Sequence, residues 1–183
     1  MPTIARQHWE KAREGDRVTA MNPSMIDPQV RIGHVHLKVA DLERSLRFYR
    51  DILGFQEMQR FGDSAAFLSA GGYHHHIGLN TWESLGASPP PRHSTGLFHT
   101  AILYPDRATL GNALHRLIKA GIRLDGASDH GVSEALYLRD PDQNGVELYR
   151  DRPMEEWPRK PDGALDMFTR PLDLQQLLDD SSL

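Results

Sequence analysis

The sequence contains no cysteine. This absence excludes disulfide bonds, thiolate metal sites and cysteine nucleophiles, and it is compatible with the cytoplasmic location that we expect. An excess of positive charge is missing too, because 21 Lys and Arg stand against 25 Asp and Glu, a formal net charge of -4. Proteins that bind nucleic acid normally carry a basic patch, so no nucleic-acid partner is expected.

Long apolar runs are also absent. No stretch approaches the roughly 18 consecutive apolar residues of a transmembrane helix, so no membrane association is expected. The segment from Met1 to Arg31 is polar and mixed in charge, which predicts that it is not a secretory signal. With 183 residues, of which 39% are hydrophobic, the chain can bury the core of one domain or of a tightly fused pair.

Histidine, by contrast, is plentiful: the chain has ten. Imidazoles serve as metal ligands and proton carriers, although scattered surface histidines would give the same count. The two ends of the chain look different from the middle. Residues 1–29 are predicted to form an arm with a short helix near His8 to Arg13, and residues 152–183 a strap followed by a short amphipathic helix. Both are long enough to clasp a neighbouring subunit, so we expect a homo-oligomer.

The segment between these ends repeats itself. An alternating run from His34 predicts a half-buried strand, and Asp41 then caps a helix that ends at Gly54. The histidine and the capping aspartate recur as His99 and Asp106, an offset of 65 residues in both cases (99 - 34 and 106 - 41). A second helix follows and ends at Gly121.

Three short strands are predicted after each helix, at 55–61, 65–69 and 73–80 in the first copy and at 122–125, 134–139 and 145–149 in the second. The predicted fold is therefore α+β, with tandem βαβββ modules at 30–83 and 97–151 and a linker at 84–96. One such module cannot cover both faces of its sheet. Two side by side would form a curved mixed sheet around a cavity suited to a ligand.

Strand alternation predicts which side chains face this cavity. Val35, Leu37 and Val39 share the face that the helix covers, so His34 points the other way. The same reasoning turns inward His36, His74, His76, Gly78, His99, Tyr137 and Glu147. His34, His99 and Glu147 come from three strands, and two imidazoles with one carboxylate suit non-haem Fe(II). On spacing alone, ordinary core or surface residues are an equally good interpretation.

The opening of the first module resembles the vicinal oxygen chelate superfamily. The matching residues are Gly33-His34, Asp41-Leu42, Ser45-Leu46, Phe48-Tyr49 and Leu53-Gly54-Phe55, and the resemblance extends over about residues 30–150. This superfamily includes glyoxalase I, bleomycin-resistance proteins, fosfomycin-resistance enzymes and extradiol dioxygenases. The opening motif is therefore specific for the fold and not for the reaction.

The second module is similar to that of type I extradiol (catechol 2,3-) dioxygenases. The similar stretches are Asp129 to Ser133, Tyr137 to Asp142 and Asn144 to Tyr149. The resemblance implies that His34, His99 and Glu147 are the metal ligands and that His76 is the catalytic histidine. It also implies roles for Tyr137 and His130, although the stretch between these two is two residues shorter than in the family.

The resemblance thus implies a non-haem Fe(II) enzyme that cleaves the ring of a catechol-type substrate with O2. Mn(II) is accepted by the same three ligands. His76 would carry protons, and His130 and Tyr137 would donate hydrogen bonds to a substrate oxygen. Glyoxalase I has a fourth, carboxylate ligand where this chain has Gly78, which argues against that activity. Two alternatives remain: another metal-dependent member of the superfamily (lyase, isomerase or thiol transferase) and a metal-free binding protein of the resistance type.

Overall fold

A computed structural model describes residues 25–91 and 93–183 of the chain. The predicted helix near His8 to Arg13 lies outside these residues. The chain divides into two units, Met1–Gly33 and His34–Leu183. In the first unit, residues 27–30 form a turn in which the Asp27 carboxylate accepts from the backbone N–H of Gln29 at 2.8 Å. The helices and strands of both modules belong to the second unit.

The first module has the predicted βαβββ order. Its elements are β1 (Val35–Lys38), α1 (Leu42–Leu46) continued by a π-helical turn (Arg47–Ile52), β2 (Gln56–Phe61), β3 (Ala65–Ser69) and β4 (Ile77–Asn80). The strands form one sheet in the order β1-β4-β3-β2, in which β1 and β4 are parallel and the other neighbours antiparallel. The parallel pair is possible because α1 provides the long crossover between β1 and the later strands.

The second module repeats this topology. Its elements are β5 (Thr100–Tyr104), α2 (Arg107–Lys119), β6 (Leu124–Asp129), β7 (Ser133–Arg139) and β8 (Gly145–Asp151). The sheet order is β5-β8-β7-β6-β9, where β9 (Arg170–Pro171) is an added edge strand from the tail. The tail also has a 3₁₀ turn (Met154–Glu156) and a helix, α3 (Leu174–Asp179). The α+β fold with two βαβββ modules is confirmed, as two sheets that share no ladder in the described residues instead of the single curved sheet that we predicted.

Both predicted helix caps are present. The Asp41 carboxylate accepts from the backbone N–H of Arg44 at 2.9 Å, and that of Asp106 accepts from Thr109 at 2.7 Å. Thr109 returns the bond through its side chain, which completes a capping box. Gly54 and Gly121 close the helices with φ values of +93° and +68°, the left-handed conformation that favours glycine. Local sequence therefore sets where these helices begin and end.

One hydrophobic core connects the two modules. It contains the inward residues of both sheets and the apolar faces of both helices, with Leu46, Leu68 and Leu79 from the first module and Leu114 and Leu148 from the second fully buried. Leu177 of α3 is part of the same core. The tail is thus held by the same apolar burial that stabilises the modules.

The loop between β7 and β8 joins the modules through two buried carboxylates. Asp142 accepts from the backbone N–H of Ala40 at 3.1 Å and from the Ser45 hydroxyl at 3.2 Å, both at the start of α1. Asp140 accepts from the Tyr49 hydroxyl at 2.9 Å. The two carboxylates give this hairpin loop a structural role that chain spacing does not reveal.

Replacement of Tyr49 by Phe is expected to lower the free energy of unfolding by about 2 kcal/mol. The change removes a donor to a buried charged acceptor, and hydrogen bonds to charged groups contribute about 1.5–3 kcal/mol. Urea unfolding followed by circular dichroism measures the difference, with Tyr73→Phe, at an exposed tyrosine, as the matched control. Equal stability of the two variants would show that the Tyr49–Asp140 contact does not stabilise the fold.

Candidate metal and substrate site

The second module brings His99 and Glu147 together. His99 directly precedes β5, and Glu147 lies in β8, which runs parallel to β5 with Ala101 opposite Glu147. The His99 Nε2 and Glu147 Oε2 atoms are 2.9 Å apart, and both side chains are largely shielded from solvent. Two of the three predicted ligands thus form a pair at one point of the sheet.

Tyr137 and His130 extend this pair into a group of four. Tyr137 lies opposite Glu147 in the antiparallel β7–β8 register, and its ring centroid is 6.0 Å from that of His99. The Tyr137 hydroxyl is 2.7 Å from His130 Nε2. All the site residues predicted in the second module therefore lie together, including His130, despite the shorter spacing.

The environment of Tyr137 keeps its hydroxyl protonated near neutral pH. Burial, and then the charge and hydrogen bonding of Glu147, raise the pKa of Tyr137 to about 12. A phenolate here would be poorly hydrated and repelled by the carboxylate. Tyr137 is therefore a hydrogen-bond donor in the site over the physiological pH range.

Replacement of Glu147 by Gln should lower the pKa of Tyr137, because the negative charge that disfavours the phenolate is removed while the burial remains. Tyrosinate absorbance during an alkaline titration reports this shift, and subtraction of the Tyr137→Phe titration isolates the signal from the other four tyrosines. An unchanged titration would mean that Tyr137 and Glu147 do not interact in solution.

A pocket of about 270 Å³ lies beside His99 and Tyr137. Phe98, Asp125, Gly126, Arg139 and Gly145 are also among its lining residues. This volume lies just below the roughly 300 Å³ at which ligand pockets begin, so the pocket admits only a small ligand. A larger cavity of about 550 Å³ lies at the start of α1 and contains no predicted site residue.

The other predicted residues lie in the first module, in a cluster of imidazoles. The ring centroids of His34 and His75 are 4.4 Å apart, and the Nδ1 atoms of His74 and His75 are 2.8 Å apart. Burial, followed by repulsion from the neighbouring imidazoles, lowers the pKa of His75, and the pKa of His36 falls for the same reasons. These two rings are therefore held more strongly in the neutral, ligand-competent form.

His76 is held by the end of β3. Its Nδ1 accepts from the backbone N–H of Ala70 at 3.3 Å and lies 3.2 Å from the Ser69 hydroxyl. Because an accepting Nδ1 carries no hydrogen, the neutral ring bears its hydrogen on Nε2. These contacts fix the orientation of the His76 ring, and they could not be predicted from its position in the sequence.

The predicted strand at 73–80 was too long. The fourth strand of the first module begins only at Ile77, because the turn that precedes it, with Gly71 and Gly72 at φ values of +67° and +79°, keeps residues 73–75 out of the ladder. The His76 backbone already joins it, since its N–H donates to Leu68 at 2.8 Å and its oxygen accepts from Val35 at 3.0 Å. Alternation therefore does not apply to His74 and His75. His75, which strand alternation does not turn inward, is the histidine of this stretch whose ring contacts His34.

The two groups do not meet in the described part of the chain. No three histidine, aspartate or glutamate side chains there are arranged to hold a metal ion. His34 and His76 belong to the imidazole cluster of the first module, and His99 and Glu147 to the second. The predicted convergence of three ligands is therefore not found within one chain, and their assignment as ligands stays a prediction.

The His99–Glu147 pair nevertheless fits two positions of a divalent ion. Two donors at about 2.1 Å from an ion and at right angles to each other would be about 3.0 Å apart, close to the observed 2.9 Å. His99 Nδ1 is buried and has no hydrogen-bond partner. The nitrogen that faces Glu147 is Nε2, and an imidazole nitrogen beside a carboxylate is a donor set that suits a transition metal.

Comparison with known proteins gives the family. Residues 31–148 match the model of the Glyoxalase/Bleomycin resistance protein/Dioxygenase superfamily. The match spans both modules, and the βαβββ topology of the structure agrees with it. The chain belongs to this superfamily.

The similar proteins include dioxygenases. The chain is 45% identical over 156 residues to catechol-2,3-dioxygenase of Bacillus subtilis (strain 168), which is 85% of this chain and 54% of that protein. It is 31% identical over 121 residues to biphenyl-2,3-diol 1,2-dioxygenase 3 of Rhodococcus globerulus, or 66% of this chain and 63% of the relative. The chain thus spans less than two thirds of the length of either relative.

A solved structure supports the fold. A glyoxalase/dioxygenase from Nostoc punctiforme superposes with a TM-score of 0.59 at 21% identity and covers 71% of this chain and 98% of its own. Within the described residues, no helix combines the length and the apolar character needed to cross a membrane.

Proposed function

We propose that this chain is a metal-dependent extradiol dioxygenase. It would cleave a carbon–carbon bond of a catechol beside one hydroxyl and place both atoms of O2 in the ring-opened product. The observation that carries this proposal is the His99–Glu147 pair, with Tyr137 and His130 beside it, in a chain 45% identical to a catechol-2,3-dioxygenase. Catechol substrates, O2 and metal dependence are properties that we transfer from such relatives.

The metal, Fe(II) or Mn(II), would be held by His34, His99 and Glu147. When bound, it would lower the pKa of the catechol hydroxyls and hold both reactants together, which removes much of the entropic barrier. His76 would exchange a proton with the substrate through Nε2, giving the hydrogen that it carries there and later taking one back, because an imidazole exchanges protons in both directions near neutral pH. Tyr137, which stays protonated, would lie beside the substrate with its hydroxyl held by His130 Nε2, 2.7 Å away.

Gly78 supports a metal site in which one protein ligand is absent and one more coordination position is open. Glu147 lies opposite Ala101, two residues after His99, and Gly78 lies opposite His36, two residues after His34. The two modules therefore place Gly78 at the equivalent of the Glu147 position. A Cβ on Gly78 would come within 2.8 Å of the His36 ring, so this ring would have to shift to admit a side chain there. An absent fourth ligand favours binding of both catechol and O2 over a glyoxalase I type of site.

We further propose that the enzyme is a homo-oligomer in which His34 of one copy completes the metal site of another. The His99–Glu147 pair has no third donor from the described residues of its own chain. In those residues β1 pairs only with β4 and β5 only with β8, so each module presents a free strand edge beside its candidate ligand. His34 is exposed at such an edge. Symmetric pairing would then form two equal sites.

Metal analysis and an oxygen assay test this function. The purified protein would be loaded with Fe(II) or Mn(II) without air, mixed with catechol, and then exposed to O2. Stoichiometric metal, oxygen uptake and a yellow ring-opened product are the expected result. Bound metal without oxygen uptake would favour another reaction of the superfamily, and failure to bind either metal would favour the metal-free binding protein.

A further inference from the structure

The C-terminal tail makes a reciprocal contact with His130. The His130 Nδ1 is 3.1 Å from the backbone oxygen of Phe168, and the backbone N–H of Phe168 donates to the His130 oxygen at 3.3 Å. The Thr169 hydroxyl lies 3.2 Å from the same Nδ1. Pairing of β9 with β6 and burial of Leu177 hold the tail in this position. The tail is therefore a fixed partner of a residue in the candidate site.

This contact determines which nitrogen of His130 carries hydrogen. A backbone carbonyl can only accept, so the bond to Phe168 requires a hydrogen on Nδ1, and the Thr169 hydroxyl, which can donate or accept, then acts as a second acceptor of that hydrogen. In the neutral ring Nε2 then carries no hydrogen, so it accepts a hydrogen bond from the Tyr137 hydroxyl at 2.7 Å. The hydroxyl hydrogen of Tyr137 is thus directed towards His130.

The Glu147 carboxylate lies opposite Tyr137 in the β7–β8 register and is the alternative acceptor for this hydrogen, while the Tyr137 hydroxyl is within hydrogen-bond distance of His130. One hydroxyl hydrogen cannot serve both acceptors well. If His130 instead carried its hydrogen on Nε2, it would donate to Tyr137, and Tyr137 would donate to Glu147. That arrangement would occupy a carboxylate oxygen needed by a metal ion.

We propose that the C-terminal tail positions Tyr137 through His130: it fixes the imidazole tautomer that accepts the Tyr137 hydrogen and so leaves the Glu147 carboxylate free for a metal ion. Phe168 acts only through its backbone, and His130 is a positioning residue. The last step, towards the metal, rests on the proposed function. The tautomer and its control by the tail do not.

Gly131 offers a way to displace the tail. A Cβ at this position would lie 2.7 Å from Phe168 Cε1 and 2.8 Å from Pro158 Cγ, and φ is +78°. Gly131→Ala therefore pushes two tail residues away from the strand turn. Gly163→Ala is a matched control within the tail, because its φ is +85° and nothing lies within 4 Å of the added carbon. Both variants strain the backbone at a positive φ, but only Gly131→Ala displaces residues of the tail.

The first measurement is the tautomer of His130 in the metal-free protein. Long-range proton–nitrogen NMR spectra distinguish the two neutral tautomers, and His130→Gln assigns the signal. We expect hydrogen on Nδ1 in the wild type and in Gly163→Ala, and a mixture or hydrogen on Nε2 in Gly131→Ala. Hydrogen on Nε2 in the wild type overturns the proposal without the need for any variant to fold.

The second measurement is the affinity for Mn(II). Mutation of a residue that hydrogen-bonds to a metal ligand typically changes the metal affinity by about 10–100-fold. The Gly131→Ala protein should therefore bind Mn(II) at least about 10-fold more weakly than the wild type. Addition of Tyr137→Phe should abolish that loss, because a phenyl ring has no hydrogen to donate to Glu147. An equal loss in the presence of Tyr137→Phe would refute the path through Tyr137. If the wild type binds no Mn(II), the proposed function fails, and the NMR result still decides the role of the tail.

Discussion

Replacement of Glu147 by Gln is expected to abolish metal binding and ring cleavage. Gln keeps the size and one oxygen of Glu147 but removes the charge that pairs with His99 and would bind the metal. Loss of a residue that binds the metal directly should reduce metal affinity and activity by more than the roughly 100-fold caused by loss of a residue that only hydrogen-bonds to a ligand. Metal content after loading with Fe(II) and oxygen uptake with catechol measure the two effects.

Glu83→Gln is the control for this variant, since Glu83 is an exposed glutamate whose weak surface pair with Lys38 lies outside the group around His99. It should retain metal and activity. Circular dichroism of the Glu147→Gln protein establishes that the fold is intact. A Glu147→Gln protein that binds stoichiometric metal would remove Glu147 from the ligand set, whatever its activity.

A mixture of two inactive variants is expected to regain activity. His34→Ala removes the ligand of the first module, and Glu147→Gln removes that of the second. If each site combines His34 of one copy with His99 and Glu147 of another, a mixed dimer has one intact site and one site that lacks both. Random exchange in an equal mixture would restore about a quarter of the wild-type sites.

The measurement requires subunit exchange, by joint refolding or by co-expression with two affinity tags. Metal content and oxygen uptake of the doubly tagged species are then compared with each variant alone, and analytical ultracentrifugation gives the oligomeric state. A doubly tagged species without bound metal or activity would place all three ligands in one chain. A monomeric wild type with full metal content would reach the same conclusion independently.

The two experiments separate two levels of the proposal. The Glu147 variant tests whether the His99–Glu147 pair is a metal site, and the mixture tests where the third donor comes from. Their distinction follows from the structure, in which the second module presents four converging side chains while His34 stays with the imidazoles of the first.

Local sequence determined the modules because their signals act over short distances. The alternation around His34, the capping aspartates Asp41 and Asp106 and the closing glycines are all read from neighbouring residues, and each is present in the structure. The same alternation correctly placed Tyr137 and Glu147 on one face, because β7 and β8 are regular strands. It failed at residues 73–75, which are not part of a strand.

Contacts between distant segments had no such local signal. The carboxylates of Asp140 and Asp142 reach α1 across about a hundred residues, and the Phe168 backbone reaches His130 from the tail. A backbone carbonyl is present in every residue, so no residue type marks the one that fixes the His130 tautomer. The family resemblance predicted the residues of the candidate site, but it did not predict the distant residues that hold them in place.

The sequence by itself determined the repeated α+β unit, its helix ends and the chemical identity of the candidate ligands, because periodicity and capping depend on residues close together in the chain. Only the tertiary structure decided which of those ligands meet. It joined His99 to Glu147, kept His34 among the imidazoles of the first module and placed the tail on His130. The physical reason is that such encounters depend on the packing of whole modules around a common core, which alternation along a single strand does not specify.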